Sequence, residues 1–112
     1  MNLKKIKRMF ELLDFLERKI LEIELSYRPD EETGPYLSYD IIDDNSIYLE
    51  YGWTSYEEYD HNIVKIIFDD KIIIDRSNRG YCVFGDGEFE NVEHILLDNT
   101  DNLIDWLNDE LE

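Results

Sequence analysis

The stretch that decides the fold is NIVKIIFDDKIIID, residues 62–75. Two runs rich in β-branched residues, Ile63–Phe68 and Ile72–Ile74, are separated only by the tripeptide DDK. Such runs favour strands, and a short polar connection between them favours a tight hairpin. The run Ile63–Phe68 contains too little polar interruption for a strand that is half exposed to water. It therefore predicts a central strand, covered on at least one face by a helix.

A segment of the same design lies upstream, in YLSYDIIDDNSIYLEYGW, residues 36–53. Large apolar side chains alternate with other residues on both sides of DDNS, which supplies turn residues. The alternating residues are Leu37, Tyr39, Ile41, Ile47, Leu49, Tyr51 and Trp53. The pattern predicts another hairpin, and it assigns Trp53 to the core at the end of a strand.

Two further segments follow the hairpin of residues 62–75. The sequence YCVF predicts a strand at Tyr81–Phe84, with GDG behind it as a turn. The stretch Phe89–Leu97 is compatible with a helix, because Phe89, Val92 and Leu96 suit helical spacing, and equally with a short strand. Both alternatives stay open.

Both ends of the chain show the apolar spacing of an amphipathic helix. The first helix is expected over about residues 2–24. Its apolar face comprises Leu3, Ile6, Met9, Phe10, Leu13, Leu16, Ile20 and Leu21. The second helix is expected over about residues 100–111, with Asp98, Asn99 or Thr100 as its N-cap.

Together these elements predict a single α+β domain over residues 1–112. An antiparallel sheet of four to five strands, within a β-rich region of about residues 36–97, would be flanked by an N-terminal and a C-terminal helix in two layers. A chain of 112 residues is long enough to bury a core without metals or disulfides. Its single cysteine, Cys82, allows neither an internal disulfide nor a cysteine-based zinc site.

The charge of the chain is its most informative property. Asp and Glu number 28 against 11 Lys and Arg, a formal net charge of -17. Residues 1–28 carry seven basic and five acidic residues, whereas residues 29–112 carry four basic and 23 acidic ones. Such a region attracts cationic protein surfaces and disfavours direct nucleic-acid binding, which needs clustered Lys and Arg. A generic solvated surface is the alternative interpretation.

The start of the chain does not resemble a membrane segment. Its basic opening, MNLKKIKRMF, is followed by Glu11, Asp14 and Glu17, which interrupt the apolar stretch that a signal peptide requires. No run approaches the roughly 18 apolar residues of a transmembrane helix. We therefore expect a cytoplasmic protein without a membrane partner.

The stretch YGWTSYEEYDHN, residues 51–62, mixes aromatic residues with carboxylates. Aromatic side chains anchor many protein interfaces, and charges around them steer association. The mixture predicts a contact loop for a protein partner over residues 54–61. The candidate partner-binding residues are Tyr56, Glu57, Glu58, Tyr59 and Asp60, with Asp43, Asp44, Asp69 and Asp70 as further carboxylates.

The same region can also be interpreted as catalytic. Asp60 and His61 could form an acid–base pair with Ser55 nearby, but the sequence has no nucleophile-elbow motif. His61 and His94 lack the spacing of a metal site. We therefore predict that His61 is an exposed loop histidine, and that the protein is not an enzyme and holds no metal or cofactor.

In size, charge and α+β layout between terminal helices, the chain resembles the small acidic immunity proteins of bacterial toxin systems. The resemblance covers the whole chain and rests on no diagnostic motif. It implies a protein that binds and blocks a cognate toxin, often a nuclease. Carboxylates such as Glu57, Glu58 and Asp60 would then meet Lys and Arg at the toxin's site.

Three alternatives stay open. A phage-encoded nucleic-acid mimic of the anti-CRISPR type would also use an acidic surface to bind a basic partner. Only the neighbouring genes distinguish it from an immunity protein. A small enzyme using Asp60 and His61 would need a cleft beside His61. A structural or oligomeric subunit would show a large apolar patch on a terminal helix.

Overall fold

The computed structural model describes residues 3–26, 34–54, 59–82 and 90–111. In chain order, the elements are α1 (Leu3–Ser26), β1 (Gly34–Asp43), β2 (Ser46–Thr54), β3 (Tyr59–Phe68), β4 (Ile72–Cys82), β5 (Glu90–Leu97) and α2 (Thr100–Glu110). The five strands form one antiparallel sheet in the order β1-β2-β3-β4-β5. The predicted α+β fold is confirmed, and so are both predicted hairpins.

The sheet has an inner face that both helices cover. On β3 the inner residues Val64, Ile66 and Phe68 are completely buried, as expected for the strand in the middle of the sheet. Leu12 and Leu16 of α1 are equally buried. The remaining fully buried apolar residues are Ile47, Leu49, Ile72, Ile74, Leu103 and Leu107. Burying each such side chain contributes about 1.5–3 kcal/mol.

The two helices contact each other as well as the sheet, which makes the domain two layers thick. Arg8 fastens the start of α1 to the β3–β4 turn, because its Nη1 donates to the carbonyl of Asp69 at 2.9 Å. In the middle of α1, Arg18 and Asp14 form an ion pair one turn apart at 2.5 Å. Within the described residues, no helix is long and apolar enough to cross a bilayer.

Two sequence-based boundaries need revision. Tyr81 is not the start of a separate strand, because β4 runs without interruption from Ile72 to Cys82. The polar residues in its middle resemble a loop in the sequence. However, β3 pairs with Asp75 to Asn78 and, after a β-bulge, again with Tyr81 and Cys82. Val83 and Phe84, the rest of that predicted strand, lie outside the described residues.

The segment left open between helix and strand is a strand from Glu90 to Leu97, and Phe89 lies outside the description. Pairing with β4 decides the matter, since Ile72 to Asn78 supply hydrogen-bonding partners along β5. Helix α1 ends at Ser26, two residues beyond the predicted position. Helix α2 ends at Glu110, one residue before it.

Candidate functional site

Three connections rich in aspartate meet at one end of the sheet. Because neighbouring strands run antiparallel, the β1–β2 turn, the β3–β4 turn and the end of β5 all fall on the same side. The carbonyl of Asn45 accepts a hydrogen bond from the Phe68 amide at 2.7 Å, which joins the first two turns. Lys71 pairs with Asp98 and joins the second turn to the third connection.

We call this region the acidic end. It comprises six exposed carboxylates on the three connections and on the first turn of α2: Asp43, Asp44, Asp69, Asp70, Asp98 and Asp101. The first four were candidates from the sequence alone. Asp98 and Asp101 were not, because the segment DNTD was interpreted only as a helix cap. The sequence left open whether residues 89–97 form a strand. Once β5 is known to be a strand, its direction places its C-terminal end, and with it Asp98 and Asp101, beside the other two turns.

The carboxylate of Asp43 is fixed by its own turn. Its Oδ1 accepts hydrogen bonds from the Ser46 hydroxyl at 2.8 Å and from the Asn45 amide at 3.0 Å. These bonds, the hydroxyl first, hold the pKa of Asp43 below its ordinary value. Such local bonding is typical of aspartate in turns. The hydrogen bonds of the turn therefore favour the ionised form of this carboxylate.

Three of the basic groups described near this end are engaged, and a fourth, Lys65, lies close enough to lower the pKa of Asp43. Arg8 is 8% exposed and donates to the backbone of Asp69. Lys71 pairs with Asp98. Lys7, which is exposed, lies 4.0 Å from Glu11 one turn along its own helix. The acidic end therefore presents more carboxylates than the described cations neutralise.

The opposite end of the sheet holds a cavity of about 400 Å³. Strand β2, nine residues long, separates the two ends by roughly 27 Å, since a strand rises about 3.4 Å per residue. Aromatic residues Tyr36, Tyr51 and Trp53 line the cavity together with Arg76 and Glu110. Its volume falls in the range of small-molecule pockets, but its two charged lining residues pair with each other.

No protein family, curated protein or solved structure matches this chain.

A polar network closes the inner side of the cavity. The Tyr51 hydroxyl donates to Glu110 Oε2 at 2.5 Å, and Arg76 Nε lies 3.1 Å from the same oxygen. Arg76 Nη1 also donates to Glu93 Oε1 at 3.1 Å. Burial and then the Glu110 carboxylate raise the pKa of Tyr51 well above its ordinary value. The network is a structural ion-pair cluster in which each charge already has a partner.

Two sequence-based assignments at this end are wrong. Trp53 is 45% exposed and not part of the core, because it lines the open cavity near the end of β2. His61 is not a loop residue but part of β3. Its side chain is only 20% exposed, with Nε2 3.3 Å from Glu50 Oε2.

The His61 ring also meets the Tyr36 ring edge-on, with 5.6 Å between the centroids. The two residues are aligned on either side of Gly52, on neighbouring strands. Gly52 has no side chain to separate them, and aromatic rings often cover a glycine in this way. His61 is not among the residues that line the cavity.

The predicted partner-binding residues that the structure describes lie at both ends of the sheet. Tyr59 and Asp60 begin β3 at the cavity end, and their side chains lie outside the description. Tyr56, Glu57 and Glu58 lie outside the described residues altogether. The four aspartates at positions 43, 44, 69 and 70 are together, but at the other end of the sheet. The described members of the predicted set are therefore divided between the two ends.

Helix α1 exposes four apolar side chains away from the core, namely Leu3, Phe10, Leu21 and Leu25. Phe10 and Leu21 are separated by about 16 Å along the helix axis. The exposed charged residues Asp14 and Arg18 occupy the interval. Phe10 therefore does not share one continuous apolar patch with Leu21 and Leu25, which lie one turn apart.

Proposed function

We propose that this protein binds and neutralises a protein partner that has a basic functional surface, in the manner of an immunity protein. The observation that carries the proposal is the convergence of three aspartate-rich connections on the acidic end. A net charge of -17 provides long-range attraction, and the acidic end concentrates it at one place. This arrangement favours fast association with a cationic surface.

The most suitable partner is an enzyme that acts on nucleic acid, such as a nuclease toxin. Its substrate groove is lined with Lys and Arg, which normally bind phosphates. Carboxylates on adjacent turns can occupy the same cationic positions and so exclude the substrate. The acidic end is well suited to this role because its turns project from a rigid sheet and not from a long flexible loop.

The test uses the purified product of the adjacent gene and measures the dissociation constant from 50 to 500 mM NaCl. The test variant carries Asp43→Asn, Asp44→Asn, Asp69→Asn and Asp70→Asn. The control variant carries Glu22→Gln, Glu24→Gln, Asp105→Asn and Asp109→Asn, four exposed carboxylates on the helices. Both variants change the net charge equally, so a difference between them reports the position of the charge.

We expect the test variant to bind more slowly and with a flatter salt dependence than the control variant. Each exposed carboxylate lost from a rim reduces the association rate more than it changes dissociation. Equal effects of the two variants would mean that only total charge matters. A dissociation constant independent of salt would rule out an electrostatic interface.

A phage-encoded inhibitor that mimics nucleic acid is the alternative, and it would rely on the same electrostatic attraction. It would use the same end of the sheet against a different basic partner. The genes beside this one distinguish the two: a toxin gene directly upstream supports immunity, and a cluster of defence inhibitors in a prophage supports the alternative.

A further inference from the structure

The face of the sheet that the helices leave uncovered carries an apolar row next to the acidic end. Ile67 of β3, Ile73 of β4 and Leu96 of β5 lie in register on three adjacent strands. Residues in register share a face, and their side chains are direct neighbours. We call these three residues the apolar row.

The alternation of the strands places the apolar row on the outer face. Residues on either side of Ile67 and of Ile73, among them Ile66 and Ile74, are completely buried beneath the helices. The residues beside Leu96 pack against the same core. Leu96 itself is 57% exposed. Leu96 ends the row on the edge strand β5, and covering an apolar side chain exposed to this extent lowers the free energy of an association.

Polar groups border the apolar row on both sides. Across β2 and β1 the row continues in register to Ser46 and then Asp43, which belongs to the β1–β2 turn of the acidic end. On the other side, the neighbouring row contains Lys65, Asp75 and His94 in register. Asp75 and His94 contact each other directly.

An apolar centre with a charged border is the arrangement that supports tight protein binding. The centre loses water on binding and supplies most of the affinity, while the border excludes solvent and selects the partner. Exposed charges alone give fast association but little lasting affinity. A neutraliser that relies on the acidic end therefore needs an apolar contact beside it.

We propose that the apolar row is the anchor of the interface whose electrostatic part is the acidic end. The inference rests on the proposed function, and the occupant is a protein surface with an apolar side chain flanked by Lys and Arg. Charge complementarity favours that occupant over a second copy of this chain, because two copies meeting on this face would bring two acidic ends together.

The test is Leu96→Ser, with Leu21→Ser as the matched control. Leu21 is 54% exposed on α1, far from this face. Binding kinetics are measured with the purified product of the adjacent gene. We expect Leu96→Ser to raise the dissociation constant at least ~10-fold through faster dissociation, with an unchanged association rate and salt dependence. The control should bind like the unmodified protein, and thermal unfolding checks that both variants fold.

The outcomes separate this inference from the proposed function. If Leu96→Ser leaves dissociation unchanged while the aspartate variant still slows association, the anchor lies elsewhere and the electrostatic proposal stands. If the aspartate variant has no effect but Leu96→Ser does, the interface is apolar and the proposed function fails in its electrostatic form. If light scattering finds that the unmodified protein is a dimer and the Leu96→Ser variant a monomer, the row is a self-association surface and the inference is wrong.

Discussion

Glu110 lies in the last turn of α2, a turn without basic residues. The negative end of the helix dipole disfavours a carboxylate there. Two contacts compensate, because Glu110 accepts from the Tyr51 hydroxyl and lies beside Arg76. Burial alone would lower the pKa of Arg76, but Glu110, Tyr51 and Glu93 raise it overall. A single acidic residue thus ties the end of α2 to the sheet.

Replacing Glu110 by alanine should lower the free energy of unfolding by about 1–3 kcal/mol, since it leaves the Tyr51 hydroxyl without its acceptor and removes one of the carboxylates paired with Arg76. Urea denaturation measures the change. Asp109→Ala is the control, because Asp109 is exposed in the same turn and its loss should be neutral or slightly stabilising. Equal destabilisation by both variants would contradict a specific role for Glu110.

Removing the Ser46 hydroxyl should raise the pKa of Asp43 toward its ordinary value. In the folded protein that pKa is lowered, mainly by the Ser46 bond. Asp43 therefore contributes stability at a pH above its ordinary pKa, and this contribution is lost as the pH falls through the lowered value. An NMR titration of the Asp43 side chain in Ser46→Ala tests this. Ser38→Ala, on exposed β1, should not shift the curve, and an unshifted curve in Ser46→Ala would count against the assignment.

At the scale of the elements, each helix is attached at a defined point. Asn99 is the N-cap of α2, and its side-chain oxygen accepts from the Asn102 amide at 2.9 Å. Asp101 in the first turn adds a favourable charge near the positive end of the helix. The cap also sets the angle at which α2 leaves β5, so it helps to hold Asp98 and Asp101 at the acidic end.

The substitution Asn99→Ala should therefore reduce the free energy of unfolding by about 1 kcal/mol, the usual effect of losing an N-cap. Chemical denaturation provides the measurement. Asn99→Asp is the matched variant that keeps an acceptor, and it should retain stability within a few tenths of a kcal/mol. The cap assignment would be wrong if alanine and aspartate were equivalent at this position.

For the whole molecule, the dominant quantity is the net charge of -17. The many carboxylates repel one another in the folded state. The exposed ion pairs on α1 offset little of this repulsion. Both helices begin near the acidic end, where Arg8 contacts Asp69 and where Asn99 caps α2. The positive ends of the two helix dipoles therefore lie beside the carboxylates and reduce their repulsion.

Sodium chloride should stabilise this protein at low ionic strength. Between 10 and 300 mM, screening weakens the repulsion, and we expect the melting temperature to rise by several degrees, since about 1 kcal/mol shifts a domain of this size by roughly 4–8 °C. Calorimetry at neutral pH tests this, with choline chloride as a control for specific sodium binding. A melting temperature that falls with added salt would show that attractive pairs dominate.

The elements were predictable where one periodicity dominated. Alternation identified both hairpins, and helical spacing identified α1 and α2. The prediction failed where pairing with a neighbouring strand overrides the structural preference of the local sequence. The polar middle of β4 is a strand because β3 pairs with it, and the segment before Leu97 is a strand because β4 does. Trp53 is apolar but lines an open cavity near the end of β2, and the alternation of the strand does not reveal that cavity.

The sequence by itself determined the fold class, the two hairpins and the excess of negative charge, because these follow from local spacing and composition. Only the tertiary structure decided which charges act together. The direction of each strand brings Asp43, Asp69 and Asp98 to one end and leaves Asp60 at the other, a separation that no spacing along the chain reveals. Strand pairing likewise aligned Ile73 and Leu96 beside the acidic end. An interface consists of residues that are neighbours in space, and in this protein the antiparallel sheet determines which residues are neighbours.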